Sequence, residues 1–330
     1  MMNYKMIQQI FIAGGYGMIG SNLAVQLRAR FPDAKLILAG RSPQNGEKLA
    51  AQLGNSMTVC LDLKGRDLPL LVSTSQLIIS AVPDPKHILG EYAIRNNIAF
   101  IDITLGTADG YAPLLNMAMF HHTTSPIVPL GYYEAGIFLP LVDKLASQFN
   151  SVKSVQLTAL HDPEDPIGKV TEIELNQGIA PAFIRKDGVW GYTAEQSQIC
   201  LISGEFVETT PFGILDISAI AAMTCADNIR LDVAMGTSEG KRKATQASVE
   251  LYVDIQGVNV SGASESKRII ASDPQGQAHF TALGVIIVIE ALLKSPLTGF
   301  MLPEQIIDQE AAFTAMHDAG IELITANQIP

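Results

Sequence analysis

Three glycines at positions 15, 17 and 20 have the spacing G-x-G-x-x-G, and they lie between an apolar segment and a segment of helical periodicity. A strand, a glycine turn and a helix in this order form the pattern that binds the phosphates of a dinucleotide. Gly15 is expected to allow the tight turn, Gly17 to let the backbone approach a pyrophosphate, and Gly20 to let the helix pack on the strand. The alternative is a glycine-rich turn without a ligand. The predicted cofactor-binding residues of this motif are Gly15, Tyr16, Gly17, Met18, Ile19 and Gly20.

The end of the second predicted strand distinguishes between two cofactors. An enzyme that uses NAD(H) usually has Asp or Glu there, about 20 residues after the glycine motif, to bind the ribose 2′-hydroxyl. This chain has Ala39-Gly40-Arg41-Ser42 at that place and no acid. The planar guanidinium of Arg41 suits a 2′-phosphate, and Ser42 could donate a further hydrogen bond. The sequence therefore favours NADP(H) over NAD(H); the alternative is that Arg41 only ends a solvated loop.

Two more strand ends complete the predicted cofactor site. Asp62 ends the third predicted strand, where its carboxylate would either face the adenine amino group or cap the next segment. The fourth predicted strand ends in a run of small residues, Ala81, Val82 and Pro83, which would let the nicotinamide half of the cofactor pass.

Strand-like and helix-like segments alternate through residues 1–130 with short connections, which predicts βαβ units and a doubly wound parallel sheet of the Rossmann type. The predicted strands are Ile10–Ala13, Lys35–Gly40, Met57–Leu63, Leu77–Val82, Ala99–Leu105 and Pro126–Leu130. The predicted helices are Met18–Arg30, 46–53, His87–Asn96 and Ala112–Phe120.

After residue 130 the pattern changes to longer, partly alternating strands, which predicts a second α+β domain over residues 131–294, built on a mostly antiparallel sheet. Lys186-Asp187-Gly188 is the expected turn of a hairpin. The C-terminal segment 295–330 is expected to pack on the first domain. The predicted strands are Val152–His161, Ala182–Tyr192, Leu231–Met235, Ala247–Ser261 and Lys267–Ser272, and the predicted helices are Lys169–Gln177, Leu215–Ala226, Ala278–Leu293 and Ala311–Asp318.

Composition excludes several classes of partner. The formal net charge of −11 argues against nucleic acid, whose binding needs clustered Lys and Arg. The three cysteines, Cys60, Cys200 and Cys225, form no CxxC pair, so neither a metal site nor a disulfide framework is predicted and a cytoplasmic location is expected. No signal peptide is predicted, and the apolar run 282–293 is short and contains Glu290, so no membrane segment is expected.

The chain resembles the saccharopine dehydrogenase (reductase) superfamily. The resemblance extends over nearly the whole chain and is specific in the first 130 residues. The segments that carry it, besides the glycine motif, are Arg41-Ser42, the helix 47–53, Leu61-Asp62-Leu63, the strand 77–83, the strand 100–104, the segment 165–169, the run 276–293 and Pro303-Glu304. One departure is the turn at 131–136, which is longer than that of the family and lacks its Asp-Pro. Together with the replacement of a Gly-Gly-Leu-Pro-like segment by 159–163, it argues against saccharopine as the substrate.

The resemblance implies a Rossmann domain, a second domain for substrate binding and dimerisation, and a hydride transfer between a nicotinamide and an imine. Such a reaction needs hydride positioning and one proton donor. Tyr132, Tyr133, His161 and Lys86 are the candidates for the catalytic role. For each of them a packing or capping role is the alternative.

The resulting hypothesis is an NADP(H)-dependent oxidoreductase that resembles NAD(P)-dependent dehydrogenases and acts on a small amino-acid-like imine as a homodimer. The alternative is a cofactor-binding sensor or regulatory protein on the same scaffold, without turnover. No residue of the sequence identifies the substrate.

Overall fold

The computed structural model describes residues 7–65, 67–168, 181–295 and 298–326. The chain divides into two compact units, formed by Met1–Ala135 with Ala282–Ile307 and by Gly136–Thr281 with Asp308–Pro330. The segment 295–330, which was expected on the first domain, is thus divided between the units after Ile307. The predicted helix Lys169–Gln177 lies outside the described residues.

The described part of the first unit contains a six-stranded parallel sheet with the strand order β3-β2-β1-β4-β5-β6. This is the order of doubly wound sheets that bind dinucleotides, so the predicted fold class is confirmed. Its strands are β1 (Gln9–Ala13), β2 (Lys35–Gly40), β3 (Ser56–Cys60), β4 (Leu77–Ser80), β5 (Ala99–Asp102) and β6 (Ile127–Pro129). Its first helices are α1 (Met18–Arg30), α2 (Glu47–Leu53), α3 (Ile88–Arg95) and α4 (Ala108–His121).

Both faces of this sheet are buried. Along β1, Ile10 and Ile12 belong to the core cluster on one face, while Phe11 and Ala13 belong to the cluster on the other. All four side chains are completely inaccessible to solvent. A strand that is buried on both faces has a nearly continuous apolar sequence rather than an alternating one, which is why these strands were evident in the sequence.

Helix Gln277–Lys294 is the longest described helix. From Ala282 onward its residues belong to the first unit, where Val285, Val288 and Leu292 join the core cluster that contains Leu23 and Leu27 of α1. By length and composition alone it is the one helix among the described residues that could cross a membrane, yet 72% of it is buried inside the protein. That burial is typical of a core helix.

The described part of the second unit is built on a nine-stranded sheet, which confirms the predicted second α+β domain. The main path of the sheet is β10-β11-β12-β7-β13-β14-β15, and β8 pairs with β12 and β9. Among the pairings of the described strands in this sheet, only β12–β7 is parallel. Its strands are β7 (Phe149–His161), β8 (Ala182–Lys186), β9 (Val189–Thr193), β10 (Ser197–Cys200), β11 (Phe206–Pro211), β12 (Asn228–Met235), β13 (Val249–Asn259), β14 (Ser264–Asp273) and β15 (Glu322–Ala326). Its helices, besides the start of Gln277–Lys294, are Phe138–Ala146, Asp216–Thr224, Glu239–Arg242 and Gln309–Asp318.

The strand segment Ala182–Tyr192, with its expected hairpin turn at Lys186-Asp187-Gly188, is the hairpin β8–β9, which confirms the predicted turn. Lys186 pairs with Val189, which leaves Asp187 and Gly188 as the two turn residues. Both have left-handed backbone angles, with φ of 49° and 78°. An Asp-Gly pair suits such a turn because it tolerates two consecutive positive φ values.

Candidate functional site

Three chain segments begin at the same edge of the parallel sheet. Ala13, the last residue of β1, pairs with Ala39 of β2 and with Ser80 of β4. The pairing continues beyond the strands, because the N–H of Gly14 donates to the Ala39 carbonyl at 2.8 Å and the N–H of Ala81 donates to the Ala13 carbonyl at 2.9 Å. In sheets of this kind, ligands bind outside the carboxyl ends of the strands.

In the turn after β1, the glycines have roles that differ from those expected from the sequence pattern. Gly14 takes the left-handed conformation, with a φ of 81°. Gly15 donates its N–H to the Ile12 carbonyl at 3.1 Å, and a Cβ at position 15 would lie 2.9 Å from the Cα of Leu38 in β2. Gly15 is therefore needed for close packing on the neighbouring strand, while Gly14 supplies the reversal that the sequence assigned to Gly15.

The N-terminus of α1 has the properties of an anion-binding site. A Cβ at position 20 would overlap the carbonyl oxygen of Gly14, so the first turn of the helix is packed directly on the glycine turn. Gly17 precedes the helix without a capping side chain, and the first turn holds no acid. The first N–H groups of a helix have no partner within it, and with the helix dipole they attract an anion. A Cβ at position 17 would have only the Gly14 carbonyl oxygen nearby, at 3.2 Å. These residues fit a diphosphate.

The segment after β4 contacts the same turn. A Cβ at position 14 would lie 2.7 Å from Cγ1 of Val82 and 3.0 Å from the Ala81 carbonyl oxygen, so only a glycine fits there. Pro83, the next residue, is exposed. The structure thus brings the predicted residues Ala81 and Val82 against the glycine motif.

Arg41 follows β2 and is exposed. Within the described ranges, its guanidinium has no ion-pair or hydrogen-bond partner. The other described arginines of the first unit are engaged, Arg28 by backbone carbonyls and Arg30 and Arg95 by glutamates. An exposed guanidinium without a carboxylate partner, at the strand end where an acid would bind a ribose, is available to a phosphate.

The side chain of Tyr16 connects the glycine turn to the segment after β2. The backbone N–H of Ser42 donates to the Tyr16 hydroxyl at 3.0 Å. Burial raises the pKa of this phenol above its usual value, so the hydroxyl is neutral at physiological pH. The sequence motif named Tyr16 only by its position between two glycines and gave no sign of this contact.

The segment after β3 contributes two polar residues. The third strand ends at Cys60, earlier than predicted, and Asp62 lies in the turn that follows. Asp62 is exposed, and its Oδ1 accepts from the N–H of Lys64 at 3.0 Å. The structure thus shows the local capping contact of Asp62, and its contact with an adenine stays a prediction. Cys60 is exposed, with its Sγ 3.9 Å from the Arg41 carbonyl oxygen.

Two of the four catalytic candidates of the sequence are engaged in local contacts of the first unit. Lys86 is exposed, and its Nζ donates to the Lys64 carbonyl at 3.3 Å. The Tyr132 side chain is 5% exposed, and its hydroxyl donates to Oε2 of Glu304 at 2.9 Å. Burial raises the pKa of Glu304. These contacts favour structural roles for both residues.

The other two candidates differ from each other. Tyr133 is half-buried in the loop after β6. His161 is 4% exposed at the end of β7, in the second unit, where burial lowers its pKa to about 4. A histidine with that pKa is neutral between pH 5 and 8 and cannot supply a proton there, so this placement favours a packing role for His161.

Two carboxyl groups, those of Asp102 and Asp84, form a second feature of this edge. Asp102 ends β5, and its Oδ1 accepts from the N–H of Thr104 at 2.8 Å and from its hydroxyl at 2.7 Å. Burial, with a smaller contribution from the nearby charge of Asp84, raises the pKa of Asp102 to about 7. Asp84 is 4% exposed, and its Oδ2 accepts from the N–H of Leu89 in α3 at 2.8 Å. Its Oδ1 is buried without a hydrogen-bond partner among the described residues.

Solved structures with the same fold were found by comparison of the whole chain. The apo form of saccharopine dehydrogenase (L-Glu forming) from Saccharomyces cerevisiae has a TM-score of 0.73 and 14% identity, over 97% of this chain and 100% of that chain. The chain has the fold of saccharopine dehydrogenase. This finding confirms, for the fold, the resemblance that the sequence motifs indicated.

Two further structures are more distant. A meso-dapdh mutant with DAP from Clostridium tetani E88 has a TM-score of 0.51 and 15% identity, over 94% of this chain and 96% of that chain. A probable dehydrogenase from Thermotoga maritima has a TM-score of 0.50 and 9% identity, over 93% of both chains. No family model and no curated protein sequence matches the chain.

Proposed function

We propose that this protein is an NADP(H)-dependent oxidoreductase that transfers a hydride to or from a small amino-acid-like imine. The observation that carries the proposal is the uncapped N-terminus of α1, packed by Gly20 on a glycine turn, next to a strand end that bears the unengaged Arg41. The first N–H groups of α1 bind the diphosphate, and Arg41 binds the 2′-phosphate together with Ser42. When bound, the nicotinamide supplies or accepts the hydride.

The substrate class rests on the names of proteins with this fold. One is named saccharopine dehydrogenase (L-Glu forming), another is named a probable dehydrogenase, and the third carries the name meso-dapdh. The shared fold supports a nicotinamide-dependent reaction at a carbon next to an amine, and the departures at 131–136 and 159–163 favour a substrate other than saccharopine.

The replacement Arg41→Asp tests the cofactor preference. It should weaken NADPH binding at least about tenfold, because charge-assisted hydrogen bonds to a phosphate contribute about 1.5–3 kcal/mol and the new carboxylate repels the phosphate. Binding of NADH should change less than about twofold or become tighter, since Asp can accept from a ribose hydroxyl. Titration followed by nicotinamide fluorescence measures both dissociation constants.

Arg95→Asp is the matched control, because it introduces the same change of charge at an exposed position of the same unit. It should leave the ratio of the two dissociation constants unchanged. Equal weakening of NADPH and NADH binding by Arg41→Asp would contradict the assignment of Arg41 to the 2′-phosphate.

We also propose that the protein is a homodimer. The support is the resemblance to the superfamily together with the hairpin β8–β9, which exposes Val189, Trp190 and Tyr192 at 69%, 43% and 73%. Light scattering of the purified protein should give twice the chain mass of 35.4 kDa. A Trp190→Ser variant should shift the mass toward the monomer, whereas a monomeric mass for the unmodified protein would reject the proposal.

A further inference from the structure

The ring of Tyr16 occupies a slot between Gly40 and Gly46. This slot exists only because neither glycine has a side chain. A Cβ at position 40, the end of β2, would overlap the Tyr16 hydroxyl. A Cβ at position 46 would lie 2.5 Å from Cδ1 of the same ring and 2.9 Å from Cγ2 of Thr58. Neither glycine has a positive φ, so the ring of Tyr16, and not the backbone, accounts for the absence of side chains at these positions.

The hydroxyl of Tyr16 is anchored to the segment that bears Arg41. Its bond from the Ser42 N–H joins residues 26 positions apart in the chain. Directly after Ser42 the backbone turns, because the N–H of Asn45 donates to the Ser42 carbonyl at 3.0 Å. The glycine turn and the segment 41–46 are therefore tied together by one side chain.

We propose that Tyr16 is a positioning residue that holds Arg41 and Ser42 in the arrangement that receives the 2′-phosphate, and so determines the preference for NADP(H). The inference rests on the proposed function and assigns a specificity role to a residue outside the direct phosphate contacts. Arg41 has no side-chain partner among the described residues, so its placement depends on the backbone that Tyr16 fixes. A pre-organised loop binds a ligand more tightly than one that must be ordered on binding.

The variant Tyr16→Phe keeps the ring in its slot and removes the acceptor of the Ser42 N–H. It should raise the dissociation constant of NADPH about fivefold, the effect of losing one hydrogen bond, and change that of NADH less than about twofold. Tyr92→Phe is the matched control, because Tyr92 packs against the core of the same unit and its hydroxyl has no hydrogen-bond partner in the described part of the chain. Circular dichroism of both variants verifies the fold.

A double-mutant cycle tests whether Tyr16 acts through Arg41. In an Arg41→Ala background, Tyr16→Phe should change NADPH binding less than about twofold, because the charged group that it positions is absent and only Ser42 remains. Cys60 gives a second readout without catalysis, since its exposed thiol lies beside the Arg41 backbone. NADPH should slow the alkylation of Cys60 in the unmodified protein and slow it less in Tyr16→Phe, while the exposed Cys225 of the second unit reacts equally in all samples.

The outcomes separate this inference from the function on which it rests. If the unmodified protein binds neither NADPH nor NADH, both are overturned. If it prefers NADPH and Tyr16→Phe keeps the same preference, or weakens both cofactors equally, the positioning role is overturned and the oxidoreductase proposal stands. Selective loss of NADPH binding that disappears in the Arg41→Ala background supports the inference.

Discussion

Replacement of Gly20 by alanine should weaken NADPH binding by at least about tenfold and lower the free energy of unfolding by about 1–3 kcal/mol. The added Cβ would overlap the carbonyl oxygen of Gly14, which is backbone and cannot rotate away. The helix α1 must then move off the glycine turn, and its first N–H groups move with it. Fluorescence titration measures the binding loss, and thermal or urea unfolding followed by circular dichroism measures the stability loss.

Two further glycine variants serve as comparisons for Gly20→Ala. Gly65→Ala should change neither quantity, because a Cβ there would have no atom nearer than 3.8 Å. Gly17→Ala should leave stability nearly unchanged, since the new Cβ meets only the Gly14 carbonyl oxygen at 3.2 Å, yet it should reduce binding because it places a methyl group at the N-terminus of α1. Binding by Gly20→Ala equal to that of the unmodified protein would show that α1 does not hold the phosphates.

Asp102→Asn should make the protein more stable at neutral and alkaline pH. Burial raises the pKa of Asp102 from 3.8 to about 7, so the folded chain retains a proton in a pH range where the unfolded chain has released it. Unfolding therefore releases a proton between about pH 4 and pH 7, and the free energy of unfolding falls as the pH rises through that window. Asparagine carries no charge, and its Oδ1 can still accept the two bonds from Thr104.

The expected difference between Asp102→Asn and the unmodified protein is small at pH 4 and grows to at most about 4 kcal/mol above pH 7. Urea unfolding at several pH values, followed by circular dichroism, measures it. Asp62→Asn is the matched control, because the exposed Asp62 also accepts from a backbone N–H two residues later. Parallel stability curves for the Asp102 variant and the unmodified protein would mean that Asp102 is ionised in the fold throughout this range.

The parallel sheet could be predicted from the sequence because each of its central strands is buried on both faces. Leu77–Val82 was expected as the fourth strand, and the observed β4 (Leu77–Ser80) lacks only its last two residues. The second sheet was predicted less completely. Strands β10, β11 and β15 were missed, and each of them carries two exposed residues. Such strands are determined by their pairing partners, which a single sequence does not reveal.

In the candidate site, too, features that depend on nearby residues were predictable, and features that depend on contacts between distant segments were not. Gly17 and Gly20 follow from a spacing of a few residues, and the structure places them where the pattern requires. The hydrogen bond between Ser42 and Tyr16 and the shared slot of Gly40 and Gly46 depend on contacts between separate strands. The proton affinity of Asp102 depends on burial, which is a property of the folded chain.

Titration of the purified, unmodified protein with NADPH and with NADH, followed by nicotinamide fluorescence, tests the central claim most directly. The uncapped helix next to Arg41 predicts that NADPH binds at least about tenfold more tightly, a difference of ~1.4 kcal/mol. Tighter binding of NADH would contradict the role of Arg41. Failure of both cofactors to bind would contradict the oxidoreductase proposal itself.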